Sequence, residues 1–153
     1  MITKKLLHLV GRCGLYCGAC DIYLVHAQSR TADQEKMASY FKCEATRVRC
    51  EGCRKPTPDN WCHDCKIAQC LDRNGYTYCY ECKHIDTCSL FQNLNKRYHS
   101  MPQVSLQRIK TAGERVWLRE QDASWSCPQC GYPHDYDAKK CLSCSTLLNK
   151  KNA

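Results

Sequence analysis

A chain of 153 residues has room for one ordinary domain, or a small domain with a mini-module, and excludes an eight-stranded barrel of roughly 250 residues. Its apolar content of 43% includes 16 cysteines, so two Phe, three Trp and three Met leave a thin core that metal or covalent cross-links must supplement. The formal charge of +8 counts every thiol as neutral. Four tetrathiolate sites, each of net charge about −2, would cancel it, so charge alone makes no case for nucleic acid.

Residues 1–12, "MITKKLLHLVGR", begin like a signal peptide, but His8 and Arg12 interrupt an apolar run that is already too short. "LVGRC" also fails as a lipid-attachment box, because Arg12 separates the small residue from Cys13. The chain reads as cytoplasmic. Thiols stay reduced there, so abundant C-x2-C pairs point to metal thiolates rather than disulfides. No segment approaches the roughly 20 apolar residues of a membrane span.

The stretch "RCGLYCGACDIY" spaces Cys13, Cys17 and Cys20 as C-x3-C-x2-C, the array with which radical S-adenosylmethionine enzymes hold three corners of a cubane. Those enzymes commonly carry an aromatic residue before the third cysteine, where this chain has Ala19, and their barrel has no room here. The array is read instead as one corner of a larger thiolate cluster.

"DIYLVHAQ" and "TADQEKMASYF" read as two short helices, the second with Thr31 and Gln34 as a capping box and Met37, Tyr40 and Phe41 on one face. From Cys43 to Cys88 the chain reads as mostly metal-ligand loops, with turn signals in "RKPTPDNW" and "DRNGYTY". A helix follows around Leu90, Phe91, Leu94 and Tyr98. A longer one runs from about Pro102 to Gln121, with Leu106, Ile109, Gly113, Val116 and Trp117 as a core stripe and Arg108, Arg115 and Arg119 on another face. The boundaries expected are a cysteine-rich metal-binding domain over 1–98, a connecting helix packed on it over 99–122 and a zinc ribbon over 123–153. The fold class is small and metal-dominated, α plus irregular: short helices and thiolate loops, ending in a C-terminal β-hairpin zinc ribbon.

The tail carries the most specific signal. Cys127, Cys130, Cys141 and Cys144 form two C-x2-C pairs ten residues apart. Tetrahedral zinc with bonds of about 2.3 Å needs sulfurs about 3.8 Å apart, which a two-residue spacer in a tight turn delivers. Gly131 suits the first turn; Ser145 stands at the corresponding place in the second. Four ligands leave no open position, which favours a structural zinc over a catalytic one. His134, Asp135 and Asp137 read as solvated loop residues.

The first block offers Cys13, Cys17, Cys20, Cys43, Cys50, Cys53, Cys62, Cys65, Cys70, Cys79, Cys82 and Cys88. Cys62, Cys65 and Cys70 read C-x2-C-x4-C, and Cys79, Cys82 and Cys88 read C-x2-C-x5-C. Such triplets serve zinc or a 4Fe-4S cluster, and spacing alone decides neither the metal nor which sulfurs share a site.

Taken together, "CGLYCGACDIY", "CEGC", "CHDCKIAQC", "NGYTYCYEC" and a last "C" before "SLF" resemble the cysteine-rich prokaryotic family called domain of unknown function 3795, over about residues 11–95. "GERVWLREQDASWSCPQCG" is similar to the helix-plus-zinc-ribbon tail of some members. The resemblance implies a metal-binding module without an established activity. Cys43 lies outside the family pattern, which makes it a free thiol and leaves one site to take a histidine, water or substrate as its fourth ligand.

Three functions are weighed. The first is a zinc-stabilised binding or scaffold module for an unidentified protein partner, since bound metal supplies folding free energy that a thin core lacks. The second is an iron-sulfur protein with an electron-transfer or cluster-based role. The third is nucleic-acid binding, in which Tyr76, Tyr78 and Tyr80 stack bases beside Arg73 and Lys83; against it stands the use of those tyrosines to shield a metal site. Ordinary enzymatic motifs are absent, and His63 and His84 beside cysteines read as ligands or solvated groups rather than catalytic bases.

Overall fold

A computed structural model describes residues 4–55 and 57–148. It contains six α-helices among the described residues: α1 (Asp21–Ala27), α2 (Thr31–Phe41), α3 (Lys66–Asn74), α4 (Ser89–Arg97), α5 (Met101–Ala112) and α6 (Glu114–Ser124). Short 3-10 turns occupy the spaces between cysteines, as at Cys17–Ala19, Cys79–Glu81 and Ile85–Thr87. None of the helices is long and apolar enough to cross a membrane.

The expected C-terminal β-hairpin is not formed. The described residues contain no strand, only isolated antiparallel bridges, of which Ser126 with Pro133 and Lys140 with Leu147 lie in the tail. The reason is local. In each knuckle the backbone donors close a tight loop: Gly131 N–H donates to Cys127 O at 2.8 Å and Ser145 N–H to Cys141 O at 2.9 Å. Both residues sit at positive φ, +73° and +60°, so the chain folds back on itself before a ladder can extend.

Three further expectations are corrected or refined. Thr31 is the first residue of α2 rather than its cap, and no side chain caps that helix. The Gln34 amide instead donates to the carbonyls of Ala45 and Val48, at 2.9 and 3.0 Å, tying α2 to the following loop. The Cys43–Cys88 segment, read as mostly loop, also carries an unforeseen helix: α3 forms within it and buries Leu71, ending at Gly75 with φ +67°. The long helix from 102 is two helices. Gly113, at φ +84°, breaks it, since a left-handed residue cannot continue a right-handed helix.

One main core joins the cysteine-rich segment to α5 and α6. Val10, Tyr16, Phe91, Leu106, Ile109, Trp117 and Leu118 are buried together. Tyr16 and Trp117 meet edge to face, with ring centroids 6.1 Å apart. The close approach of the Cys13 loop to α5 needs Gly14: a Cβ there would lie 2.3 Å from the Pro102 carbonyl oxygen, and its φ is +94°. A second, smaller cluster gathers Ile22, Ala38, Val48 and Cys50, with Met37 packed against it. Of the α2 face, Phe41 stacks against Trp61 at 4.8 Å, while Tyr40 is 81% exposed.

Polar clamps hold the ligand loops to this core. The Arg12 guanidinium donates to the Tyr76 and Thr77 carbonyls at 2.7 and 3.1 Å and pairs with Asp72 at 2.6 Å. Arg54 donates to Val10 O at 3.1 Å, pairs with Glu114 at 3.0 Å and bonds the Tyr78 hydroxyl, which itself donates to Glu114. The tail is fastened at Tyr136, whose Oη accepts from Tyr16 N–H at 2.8 Å and donates to Tyr16 O at 2.7 Å, and whose N–H donates to Ala19 O at 3.2 Å.

Candidate metal centres

In the tail, each C-x2-C pair sits in its own knuckle, and the two knuckles face one another. Cys127 N–H donates to Tyr132 O and Cys141 N–H to Thr146 O, both at 2.9 Å, so each first cysteine anchors an equivalent loop. The sulfurs meet across the pair: Cys127 Sγ lies 3.6 Å from Cys144 Sγ, and Cys130 Sγ 3.5 Å from Cys141 Sγ. All four sulfurs fall within 4.8 Å of one another. That spread fits the roughly 3.8 Å edge of a four-sulfur tetrahedron around one ion, so the donor set can hold a metal.

The protons of this quartet are unevenly held. Hydrogen bonding to the side chain and backbone of Thr146 lowers the Cys144 thiol to about 6, and Cys144 Sγ lies 3.1 Å from the Thr146 hydroxyl. A backbone hydrogen bond to Tyr132 lowers Cys130, but burial and the neighbouring sulfurs outweigh it and bring the thiol up to about 11. A divalent cation removes that asymmetry by displacing the protons. Thr146 had no signature in the sequence; only its place two residues after Cys144 marks it.

Cys17 Sγ lies 3.2 Å from Cys53 Sγ, 36 residues away in the chain. That hydrogen bond raises the Cys17 thiol and lowers that of Cys53 to about 7. Cys20 is pushed up to about 12, first by burial, and its charged form is further opposed by Asp21 and Cys50. Cys62 is raised by hydrogen bonding to Cys50, which is lowered by the same bond. Cys13 is raised by burial and by the nearby sulfurs of Cys53, Cys79 and Cys65. Cys17 thus meets Cys53 directly, and Cys53 in turn acts on Cys50 and Cys62, which also neighbour Cys20. Cys43 packs against the smaller core cluster with Ala45 and Trp61.

Cys70, Cys79, Cys82 and Cys88 border a separate apolar pocket between α3 and α4. Burial and then the Cys88, Cys70 and Cys82 sulfurs push the Cys79 thiol up to about 12. Among the described residues, the tail quartet is the only group of three or more whose ligand atoms all lie within 4.8 Å of one another.

The candidate nucleic-acid residues are placed differently from the stacking arrangement. Tyr78 is buried and engaged by Arg54 and Glu114, and it stacks on Tyr80 at 5.3 Å. Tyr76 packs against the main core. Of the basic face, Arg108 pairs with Glu120, its Nε donating at 3.0 Å. His63 pairs with Asp64 at 2.9 Å, and His134 rests on the Trp125 ring.

A family model described as Protein of unknown function (DUF3795) matches residues 9–93, more than half of the chain and all twelve cysteines of the first block. No curated protein and no solved structure matches the chain.

Proposed function

The chain belongs to this family of proteins of unknown function, and on that premise we propose that it is a metal-shaped thiolate module that presents its loops to a protein partner. Zinc occupies Cys127, Cys130, Cys141 and Cys144. Cys13, Cys17, Cys20, Cys50, Cys53, Cys62, Cys65, Cys70, Cys79, Cys82 and Cys88 serve as further ligands in the first block. The observation that carries the reading is the convergence of the tail sulfurs to within 4.8 Å, in pairs at 3.5 and 3.6 Å.

A closed shell of four thiolates leaves no position for substrate or water, so the ion acts on the fold rather than on a reaction. The tail has little else to hold it: its buried cluster is Cys127, Cys141 and Leu148. A protein partner is favoured over nucleic acid because Tyr78 and Arg108 are already engaged within the chain. Bound metal also offsets the formal positive charge.

The test is elemental analysis of the purified chain, followed by thermal melting before and after chelation. Zinc in the preparation and a large loss of melting temperature on chelation are expected. Zinc-free protein that melts cooperatively at the same temperature overturns the reading.

A further inference from the structure

We propose that Cys70, Cys79, Cys82 and Cys88 are the four ligands of a second centre, and that its shape selects a 4Fe-4S cluster rather than a single ion. The proposal deepens the metal-module reading by grouping four of the first-block sulfurs, yet it stands or falls independently of zinc in the tail.

The four cysteines arrive from three elements around one pocket. Cys70 lies on α3, Cys79 and Cys82 bracket the 3-10 turn Cys79–Glu81, and Cys88 is the residue just before α4. Successive turns set their placement: Cys82 N–H donates to Cys79 O at 3.1 Å, Ile85 N–H to Cys82 O at 3.2 Å and Cys88 N–H to Ile85 O at 3.3 Å. The Gln92 amide fastens the same loop by donating to Ile85 O at 3.2 Å.

Size separates the candidates. Around a single zinc, four sulfurs stand about 3.8 Å apart, as the tail approaches. No three of Cys70, Cys79, Cys82 and Cys88 have their sulfurs all within 4.8 Å of one another. A cubane puts four irons between its thiolates and holds them farther apart than one ion does.

The lining agrees with that occupant. Besides the cysteines, the pocket is walled by Ile67, Leu71, Ile85, Leu90 and Phe91, with Tyr76 as the one lining side chain that carries a hydroxyl. Iron-sulfur clusters are tuned by just such shielding and by N–H donors to sulfur. Asn74 Nδ2 supplies one, donating toward Cys70 Sγ at 3.7 Å while it also bonds Cys70 O at 2.8 Å. The N-terminus of α4, directly after Cys88, adds a favourable dipole for a centre of net negative charge.

The experiment is anaerobic reconstitution of the full-length chain with ferrous iron and inorganic sulfide, in competition with zinc, followed by iron, sulfide and zinc analysis and electron paramagnetic resonance after reduction. About four irons and four sulfides per chain are expected from a 4Fe-4S centre. Cys82→Ser should lose most of that iron and sulfide while retaining tail zinc, and Cys144→Ser should show the reverse. Iron and sulfide unchanged in Cys82→Ser overturns the grouping, whatever the tail binds. Zinc alone in the wild-type chain overturns the choice of cluster. Should Cys82→Ser not fold, Cys88→Asp provides a second reading: an altered resonance signal supports the site, and an unaltered one rejects it.

Discussion

The tail and the cysteine-rich segment both bring thiols together, but by opposite routes. In the tail each knuckle is closed by bonds between residues four or five apart, and its four sulfurs converge with almost no apolar support. In the first block, sulfurs meet across long stretches of chain, as Cys17 meets Cys53, because Val10, Tyr16, Phe91 and Trp117 pack the loops together. Local turns make the first site; a tertiary core makes the others. On the proposed reading, a metal bound at the tail quartet would be needed to keep the tail folded, whereas packing alone already holds the block's loops together.

The strongest way to break this comparison is to remove one tail ligand. Cys141→Ser should forfeit much of the about 10 kcal/mol or more that a structural zinc contributes, and hydrogen exchange should show the tail amides of Cys127, Gly131 and Ser145 losing protection while α5 and α6 keep theirs. Equal loss in both regions would mean that the two are one cooperative unit.

The complementary change strikes the core. Trp117, only 1% exposed, should cost about 3–5 kcal/mol on Trp117→Ala, read by denaturant unfolding. Zinc binding by the tail should persist in that variant. Tyr136→Phe sharpens the comparison at the junction: losing the hydroxyl that serves both Tyr16 N–H and Tyr16 O should cost about 1–3 kcal/mol. Its signature is raised exchange at the Tyr16 amide.

The smallest effect lies in the cysteine-rich segment, away from its sulfurs. Asp33 is lowered from the ordinary carboxylate range by hydrogen bonding to Arg30, whose Nε donates at 2.8 Å. A depressed folded value means that the pair stabilises above the unfolded carboxylate range and that this contribution vanishes as pH falls through the folded value. The pair is partly open to solvent, so Asp33→Asn should cost about 0.2–1 kcal/mol at neutral pH and nothing in strong acid, measured by melting at both.

What the sequence made legible follows the same division. The tail quartet could be read because its geometry is written in two-residue spacers, but such spacers are silent on whether rungs of a sheet form between the knuckles. The periodic runs of α1, α2 and α4 were readable for the same local reason. Gly113 was not: Leu106, Ile109 and Trp117 keep helical spacing across the break, and a glycine inside such a stripe looks the same whether tolerated or terminating. α3 was hidden because its one buried residue, Leu71, lies among cysteines that resemble loop ligands. The meeting of Cys17 with Cys53 depends on a loop 36 residues away, which no spacing encodes.

The phenol oxygen of Tyr136 reaches the peptide groups one residue ahead of Cys17. A protease that severed the chain between Ser124 and Tyr136 would therefore do more than trim an appendage. It would uncover a main-chain donor and acceptor beside Cys17 and admit solvent there.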